Sequence, residues 1–256
     1  MSTKLYYFSG TGNTLWSAKT IARRIGGDNE LINIGIEAQK NEITLEADAV
    51  VLLFPSYAYG LPLIVRAFLQ KAVFKTPYVA AFVTFGTHPG GTLAAASRIL
   101  KRKNINAVYY GRIPAVENYI ALLGEQSEKT IAKRLAMQRD ATEKAALGVI
   151  GRQVNQVYTF RPLSVFVWLL FRSGIKIFYK RYRLSETCNG CGICEKICPV
   201  SAITMLEERP QFSGACEHCQ ACILWCPQKA ISFGRIKPTT RRYHHPQISV
   251  ADISRQ

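Results

Sequence analysis

The sequence lacks cysteine everywhere except in one short segment. All eight cysteines lie between Cys188 and Cys226, so they cannot form disulfides that staple the rest of the fold. The first residues also lack the charged stretch, long apolar core and cleavage site of a secretory signal. We therefore expect a reducing, cytoplasmic environment, in which clustered cysteines more often bind metal than pair with each other.

Long apolar runs and acidic residues are also scarce. The longest apolar run, residues 162–171, has about half of the ~20 residues that cross a bilayer. Only 17 Asp and Glu stand against 33 Lys and Arg, which gives a formal net charge of +16. This excess favours an acidic redox protein, as electron donor or acceptor, or an anionic membrane surface. Nucleic acid is not expected as a partner because the chain has no nucleic-acid recognition motif.

The cysteine segment contains the same motif twice. Residues 188–199 read CNGCGICEKICP and residues 216–227 read CEHCQACILWCP, so each copy is C-x2-C-x2-C-x3-C-P. The residues that follow are also alike, PVSAIT in the first copy and PQKAIS in the second, which indicates an internal duplication. This spacing is typical of paired 4Fe-4S clusters, since the fourth cysteine of each run reaches the other cluster.

The expected ligands are therefore exchanged between the copies. One cluster takes Cys188, Cys191, Cys194 and Cys226, and the other takes Cys216, Cys219, Cys222 and Cys198. A zinc site and a disulfide knot are the alternatives, but zinc would leave the third and fourth cysteine of each run unexplained. His218 lies inside the second run, and we expect it to be a loop residue near the cluster because sulfur already fills every ligand position.

A glycine-rich loop follows the first apolar strand pattern, at residues 4–8. The loop consists of Ser9, Gly10, Thr11, Gly12, Asn13 and Thr14, and a helical pattern then runs to Ile25. A strand, such a loop and a helix N-terminus together form an anion site, which we expect to hold a phosphate. The loop has neither the lysine of a P-loop nor the G-x-G-x-x-G pattern. It therefore suits a phosphate monoester that is held by hydrogen bonds and is not hydrolysed.

Strand and helix patterns alternate over residues 1–115. Strand patterns lie at residues 4–8, 30–34, 48–54, 78–85 and 105–110, and helical patterns lie between them, among others at 63–74 and 91–103. Continuous apolar runs are typical of strands buried in a parallel sheet. The alternation predicts an α/β fold with a doubly wound, five-stranded parallel sheet, whose ligand binds at the carboxyl ends of the strands.

Two further loops follow strands of this sheet. The second loop begins with Pro55, Ser56, Tyr57, Ala58, Tyr59 and Gly60, and the third begins with Thr84, Phe85 and Gly86. An aromatic-lined slot beside a phosphate site describes a pocket for FMN, although ordinary packing is the alternative for the two tyrosines. No residue stands out as a catalytic acid or nucleophile. Tyr57 and His88 are the best candidates for proton donors near the flavin.

The motifs resemble those of known redox families. Ser9, Thr11, Gly12 and Thr14 match the flavodoxin phosphate-loop pattern (S/T)-x-T-G-x-T, and the cysteine motifs resemble those of a bacterial two-cluster ferredoxin. A chain with the flavodoxin-type loop first and the ferredoxin-type motifs second resembles the flavodoxin-fused ferredoxins called EFR-type ferrodoxins. The resemblance covers residues 1–112 and 185–234. The PSYAYGLP stretch is similar to that family's second flavin loop. The resemblance implies that the FMN phosphate binds at residues 9–14 and the isoalloxazine between residues 57–60 and 84–86.

The predicted domain organisation has four parts. They are a flavodoxin-like FMN-binding domain at residues 1–115, a helical connector at 116–184, a small α+β ferredoxin-like domain at 185–236 and a C-terminal tail at 237–256. The connector should contain a long amphipathic helix from Glu125 to about Tyr158. Residues 114–119 should form a turn, which either brings Asn118 and Tyr119 to the flavin edge or is a plain loop, and we favour the loop.

Residues 162–183 combine two stripes. Phe171, Ile175, Phe178 and Tyr182 form an apolar stripe, and Arg172, Lys176, Lys180 and Arg183 form a cationic stripe beside it. This pattern fits a connector that packs between the two domains, which we favour. It also fits an interfacial helix that lies on an anionic membrane.

These patterns together predict an iron-sulfur flavoprotein of anaerobic electron transport. We expect a one-electron donor to reduce the clusters, the clusters to reduce FMN, and the flavin to reduce a small-molecule or protein acceptor. The alternatives are a pure electron carrier without its own substrate and an iron-sulfur redox sensor. An enzyme predicts a flavin face open to a substrate-sized pocket, a carrier predicts only an exposed flavin edge, and a sensor predicts no turnover.

Overall fold

A five-stranded parallel sheet forms the centre of the N-terminal part in the computed structural model, which describes residues 2–157 and 162–254. Its strands are β1 (Thr3–Tyr7), β2 (Asn29–Asn33), β3 (Ala49–Pro55), β4 (Val79–Phe85) and β5 (Val108–Pro114). They are hydrogen-bonded in the order β2-β1-β3-β4-β5, which is the flavodoxin-like order of a doubly wound sheet. The predicted fold class is therefore confirmed.

Helices cover both faces of this sheet. The long helices of the domain are α1 (Asn13–Ile25), α2 (Leu63–Lys71), α3 (Thr92–Arg102) and α4 (Glu128–Ile150). Phe68 of α2 and Leu100 of α3 are buried against one face of the sheet, whereas Ile21 of α1 and Ala145 of α4 are buried against the other. The central strands β3 and β4 bury nearly every residue because both of their faces are covered.

Shorter elements complete this part of the chain. They are one-turn helices at Ile34–Glu37 and Ile120–Leu123 and a small parallel strand pair, Thr44–Glu46 with Val73–Lys75. Helix α4 begins after Ser127, whose hydroxyl accepts a hydrogen bond from the backbone N-H of Thr130. It ends at Ile150, and Tyr158, where the sequence pattern predicted its end, lies outside the described residues.

The cysteine-containing part is small and repeats itself. Its strands pair antiparallel as Arg183–Leu184 with Ile231–Ser232 and as Ile203–Leu206 with Arg209–Phe212. Each cysteine run contains a one-turn helix, Ile193–Lys196 in the first copy and Ala221–Leu224 in the second. Because the helices keep the same spacing as the cysteine motifs, the duplication seen in the sequence is also present in the structure.

Helix α5 (Pro162–Phe178) lies between the two parts and leads into a 3-10 turn at Tyr179–Arg181. The indole of Trp168 lies so close to Gly60 that a Cβ on that glycine would be 1.9 Å from its Cδ1 atom. At the other end, the rings of Phe178 and Phe233 are 6.3 Å apart. Helix α5 therefore contacts both parts. Among the described residues, no helix has the length and apolar character of a membrane span.

The C-terminal tail packs back across the N-terminal part. The backbone N-H of His245 donates to the carbonyl oxygen of Thr11 at 2.9 Å. Ile248 and Ile253 are buried together with Leu15 of α1 and Trp225 of the second cysteine run. A short helix, Val250–Ile253, is capped by Ser249. The tail therefore covers the glycine-rich loop, and residues 255–256 lie outside the described part of the chain.

Candidate iron-sulfur and flavin sites

Four cysteines from the two motif copies line one pocket. Cys188, Cys191 and Cys194 come from the first copy and Cys226 comes from the second. The apolar side chains of Ile193, Pro227 and Ile231 complete much of the wall. The structure thus brings together the four residues that the spacing assigns to one cluster, in a mainly apolar pocket.

The other four cysteines form a second, more deeply buried group. Burial raises the pKa of the Cys219 thiol well above its usual value, and nearby Cys198 and Cys216 raise it further. The pKa of Cys222 is raised in the same way, first by burial and then by Cys219, Cys216 and Cys198. These thiols would be held as thiolates by bound iron, which deprotonates the sulfur it coordinates.

Hydrogen-bond donors surround the sulfur atoms. The backbone N-H groups of Ala202, His218 and Ala230 donate to Sγ of Cys198, Cys216 and Cys226 at 3.1, 3.3 and 3.3 Å. Donors of this kind stabilise the negative charge of an iron-sulfur cluster and tune its potential.

Other polar groups beside the cysteines have no partner within the described residues. They are both side-chain heteroatoms of Gln220 and the Nε and Nη1 donors of Arg242, all of them buried. All eight cysteines are free of disulfides. Within residues 2–157 and 162–254, no group of three or more His, Cys, Asp or Glu suits a single metal ion. Two sets of four thiolates surrounded by N-H donors fit 4Fe-4S clusters.

The glycine-rich loop is held in shape by side-chain hydrogen bonds. The backbone N-H of Gly12, which has a left-handed φ of 89°, donates to Oγ of Ser9 at 3.2 Å. Oγ1 of Thr14 shares a hydrogen bond of 2.7 Å with Oγ1 of Thr84, the last buried residue of β4. The hydroxyl groups and the start of α1 therefore lie together, as a phosphate site requires.

One pocket joins this loop to the next two loops. It is lined by Ser9, Gly10, Thr11, Asn13, Thr14, Pro55, Ser56, Tyr57, Thr84, Phe85 and Gly86, and by residues 115–118. Four predicted flavin residues are not in this lining. Tyr59 and Gly60 line a neighbouring pocket instead. Gly12 lies on the side of the glycine-rich loop that faces His245 and Ile248. Ala58 lies at the tip of the second loop and has a positive φ of 46°.

Tyr57 lies at the centre of this arrangement. Its backbone is paired with Gly60 by two hydrogen bonds of 3.0 and 2.9 Å. Its hydroxyl is buried without a partner within the described residues, and burial raises its pKa well above 10, with Cys219 as the next largest cause. An unpartnered hydroxyl at this position fits a bound cofactor that accepts its hydrogen bond.

His88, the other candidate proton donor, lies outside the lining of this pocket. Its Nδ1 accepts a hydrogen bond from the backbone N-H of Gly90 at 2.8 Å. Its ring packs edge-on against Tyr59 with a centroid distance of 6.3 Å. His88 thus shapes the third loop, and Tyr57 is the candidate that reaches the pocket.

A fourth loop also lines the pocket, although the plain-loop interpretation of residues 114–119 was the one we favoured. Ala115, Val116, Glu117 and Asn118 follow β5 and line the pocket, and the side-chain amide of Asn118 donates to Oγ1 of Thr11 at 2.8 Å. The rule that ligands bind at the carboxyl ends of parallel strands applies to β5 as well and would have identified this loop.

Side chains from distant segments also hold the glycine-rich loop. Asn13 accepts hydrogen bonds from Tyr243 of the tail, through its side chain at 2.9 Å, and from Gln138 of α4, through its carbonyl oxygen at 2.9 Å. The ring of His245 stacks on Trp16. No local signal in the sequence connects these residues to the loop.

The pocket and the second cysteine group are in direct contact. A Cβ placed on Gly10 would lie 3.1 Å from each of Cys219 Cβ, Cys219 O and the hydroxyl oxygen of Tyr57. The indole N-H of Trp225 donates to the carbonyl oxygen of Gly10 at 3.1 Å. The glycine-rich loop, the second loop and a cysteine ligand therefore meet at one point.

Glu217 joins the same two parts. Its carboxylate accepts hydrogen bonds from the backbone N-H groups of Leu63 and Ile64 at 3.1 and 2.6 Å, so it satisfies two free donors at the start of α2. Burial raises its pKa to about 7, and the same two hydrogen bonds act in the opposite direction.

His218 is enclosed by aromatic residues. Its Nε2 is 3.0 Å from the Tyr119 hydroxyl and its Nδ1 is 3.0 Å from the Tyr182 hydroxyl. Burial lowers its pKa to about 4, so the ring is neutral over the physiological range. Both of its ring nitrogens are occupied by tyrosines, and it lies beside the cysteines as a loop residue.

Comparisons with known proteins agree with the cysteine site. A family model described as the 4Fe-4S dicluster domain matches residues 180–231. No curated protein matches this chain.

Several solved structures are similar to this chain. The metal-soaked Flv1 flavodiiron core from Synechocystis sp. PCC6803 is 17% identical with a TM-score of 0.35, and the match covers 60% of this chain but only 37% of that one. A flavone reductase is 12% identical with a TM-score of 0.38, over 64% and 69% of the two chains. A short-chain flavodoxin associated with a non-canonical PDU bacterial microcompartment is 15% identical with a TM-score of 0.32, over 57% and 99%.

The class of protein follows from the strand order and from the family match. One chain joins a flavodoxin-like domain to a 4Fe-4S dicluster domain. This combination supports an iron-sulfur flavoprotein that takes part in electron transfer.

Proposed function

We propose that this protein transfers electrons between two 4Fe-4S clusters and FMN, and from there to a small-molecule or protein acceptor. The order of the two domains, together with the motifs, supports a place among the EFR-type ferrodoxins. When bound, the clusters supply one-electron transfer and FMN links one-electron to two-electron chemistry. The chain itself positions these groups, excludes water and sets their potentials.

One observation carries the proposal, the contact of Gly10 and Tyr57 with Cys219. A phosphate loop and a cluster ligand that belonged to independent sites would have no reason to approach each other so closely. Here a single methyl group on Gly10 would be 3.1 Å from both Cys219 and Tyr57. This contact supports a cluster held by Cys198, Cys216, Cys219 and Cys222 next to the flavin pocket.

The residues of the pocket have separable tasks. The hydroxyl groups of Ser9, Thr11 and Thr14 and the N-terminus of α1 bind the FMN phosphate. The Tyr57 hydroxyl would donate to the bound cofactor, since it has no other partner among the described residues. His245 and Tyr243 of the tail hold the back of the loop, which limits its movement and keeps water out.

We propose an acidic redox protein as the electron donor. The formal net charge of +16 creates a field that attracts such a partner over long distances. The rate of cluster reduction by an acidic ferredoxin-type donor should therefore fall steeply as ionic strength rises, because salt screens exposed charges. A rate that does not change with salt would contradict this partner.

Anaerobic purification followed by iron, sulfide and flavin analysis tests the cofactor content. About eight irons and one FMN per chain are expected, since each cubane contains four irons. Zinc in place of iron, or a preparation that cannot be loaded with flavin, would overturn the proposal.

Two variants separate the two sites. Cys191→Ser removes an exposed ligand of the first cysteine pocket and should lower iron content while FMN remains. Thr14→Val removes the hydroxyl that bonds Thr84 and should lower FMN occupancy while iron remains.

A further inference from the structure

A second pocket lies beside the second loop, at Tyr59 and Gly60. It is formed where α2, α3 and α5 meet and has a volume of about 240 Å³. Its lining includes Tyr59, Gly60, Arg66, Arg98, Trp168 and Arg172. This pocket shares no lining residue with the pocket at the glycine-rich loop.

The lining of this pocket is cationic. Three arginines line it, and no aspartate or glutamate does. None of the ion pairs formed within residues 2–157 and 162–254 involves Arg66, Arg98 or Arg172. Burial lowers the pKa of Arg66, and Arg172, Arg102 and Arg98 lower it further. Like charges that gather without a counter-ion repel each other, so an anion between them would be stabilising.

Trp168 arranges two of these arginines. Its indole N-H donates to the carbonyl oxygen of Leu61 at 3.0 Å, which fixes the ring. The guanidinium carbons of Arg66 and Arg172 lie 5.3 and 5.6 Å from the ring centroid. A guanidinium that stacks on an indole keeps its in-plane N-H groups available for a phosphate or carboxylate.

We propose that this pocket binds a small organic anion, whose phosphate or carboxylate group is held by Arg66, Arg98 and Arg172. Tyr59 and Trp168 provide an aromatic wall for the apolar remainder of the molecule. Arginine suits this task because its planar fork matches the two oxygens of either group.

An anionic lipid headgroup has the same chemistry, but the placement of α5 favours the free anion. The four most exposed apolar residues of this helix, Leu163, Phe166, Leu170 and Ile177, recur at the spacing of one helical face. At about 100° per residue, Trp168 and Arg172 lie on the opposite face. A bilayer that contacted the exposed residues would therefore not face the pocket.

Calorimetric titration of the full-length protein, with its cofactors bound, tests the proposal. The probes are inorganic phosphate and citrate at low ionic strength. Arg98→Gln with Arg172→Gln removes two exposed pocket arginines, and Arg139→Gln with Arg235→Gln changes the net charge equally at distant exposed positions. We expect saturable binding of at least one probe, weakened about ten-fold or more by the pocket variant and less than two-fold by the control.

Thermal unfolding provides a second readout. A bound anion should raise the melting temperature of the wild type and of the control variant but not of the pocket variant. Without anion, the pocket variant should melt at the same temperature as the wild type or higher, because two repelling charges have been removed, and this shows that it folds. Equal weakening in both variants, or no binding of either probe, would overturn the proposal.

Sedimentation with phosphatidylglycerol vesicles distinguishes the two sources of the anionic group. If both variants bind vesicles as the wild type does, the pocket takes a free anion, as proposed. If phosphate and citrate do not bind and only the pocket variant loses vesicle binding, the ligand is a lipid headgroup and the free anion is ruled out.

Discussion

At the scale of single residues, Gly10 is the point where the two sites meet. Its φ is not in the left-handed region, so the backbone does not require glycine at this position. The requirement comes from space, since any side chain would enter the contact between Cys219 and Tyr57. A glycine of this kind allows two backbones to approach closely.

Replacing Gly10 by alanine should separate the flavin pocket from the cluster loop. The new methyl group would lie 3.1 Å from three atoms, which is closer than ordinary carbon contacts and should cost about 1–3 kcal/mol of stability. FMN occupancy and the rate of electron transfer from cluster to flavin should fall, while iron content stays the same. Flavin fluorescence after extraction measures the FMN occupancy, and rapid-mixing absorbance measures the rate of electron transfer.

Gly151→Ala is the control, since a Cβ on Gly151 would have its nearest atom 3.4 Å away. An equal effect of this variant would contradict the explanation.

At the scale of elements, the start of α2 is joined to the cysteine loop through Glu217. Helix α2 begins after Pro62, whose side chain cannot cap the helix. The Glu217 carboxylate, from the cysteine-containing part, takes the place of a cap by accepting the free N-H groups. The contact fixes the orientation of the second cysteine run relative to the flavin loops, because residues 55–62 lead directly into this helix.

Glu217→Ala should loosen this junction. Two backbone N-H groups would lose their acceptor in a partly buried setting, which should lower the free energy of unfolding by roughly 1–3 kcal/mol. Anaerobic urea denaturation measures the loss. Glu42→Ala, at an exposed position without a hydrogen bond among the described residues, should change stability by less than about 0.5 kcal/mol. The explanation fails if both variants unfold at the same urea concentration.

Helix α5 has one packed side and one exposed side. One side packs against Gly60 and Phe233, as a connector does. The other side exposes Leu163 by 73% and Phe166, Leu170 and Ile177 by 57–59%. Lys180, Arg181 and Arg183 follow at its end. We propose that this exposed stripe lies on an anionic bilayer, because apolar residues beside cations suit the lipid interface.

Vesicle flotation tests the exposed stripe of α5. The full-length protein should bind phosphatidylglycerol vesicles and not phosphatidylcholine vesicles, and Leu163→Ser with Phe166→Ser and Leu170→Ser should reduce binding at least about ten-fold, since each large apolar side chain contributes about 1.5–3 kcal/mol. The matched control places serine at Leu122, Leu123 and Leu206, which are also exposed. Binding that does not depend on lipid charge, or equal losses in both variants, would exclude an anionic bilayer as the partner of this stripe.

At the scale of the whole molecule, the tail makes the fold depend on pH. His245 is only 2% exposed, and burial, followed by the nearby His244, lowers its pKa to about 4. In the unfolded chain its pKa is about 6.5. Between these values the unfolded state binds more protons than the folded state, so the free energy of unfolding decreases as pH falls.

This dependence can be measured by comparison with His245→Gln. On going from pH 7 to pH 5, the wild type should lose about 2 kcal/mol of stability that the variant does not lose. Anaerobic urea denaturation at several pH values gives the free energy of unfolding of both proteins. Subtracting one from the other cancels the contributions of the other titrating groups. If both proteins have the same pH dependence, His245 is not the group responsible.

The sequence by itself was sufficient for the fold class and for the 4Fe-4S dicluster domain. The cysteine spacing, the loop at residues 9–14 and the alternation of strands and helices are local patterns, because each element and each ligand run must meet its own requirements within a few residues. These patterns also indicated that the ligand would lie at the carboxyl ends of the strands.

The tertiary structure decided which distant segments meet. The contact of Gly10 with Cys219, the hydrogen bonds of Tyr243 and His245 to the loop, and the approach of Arg66 to Trp168 all join residues about 100 positions or more apart. Such contacts depend on the packing of whole elements against each other, which leaves no periodicity or motif in the chain. The arrangement that brings the two separate binding motifs into contact therefore exists only in the folded molecule.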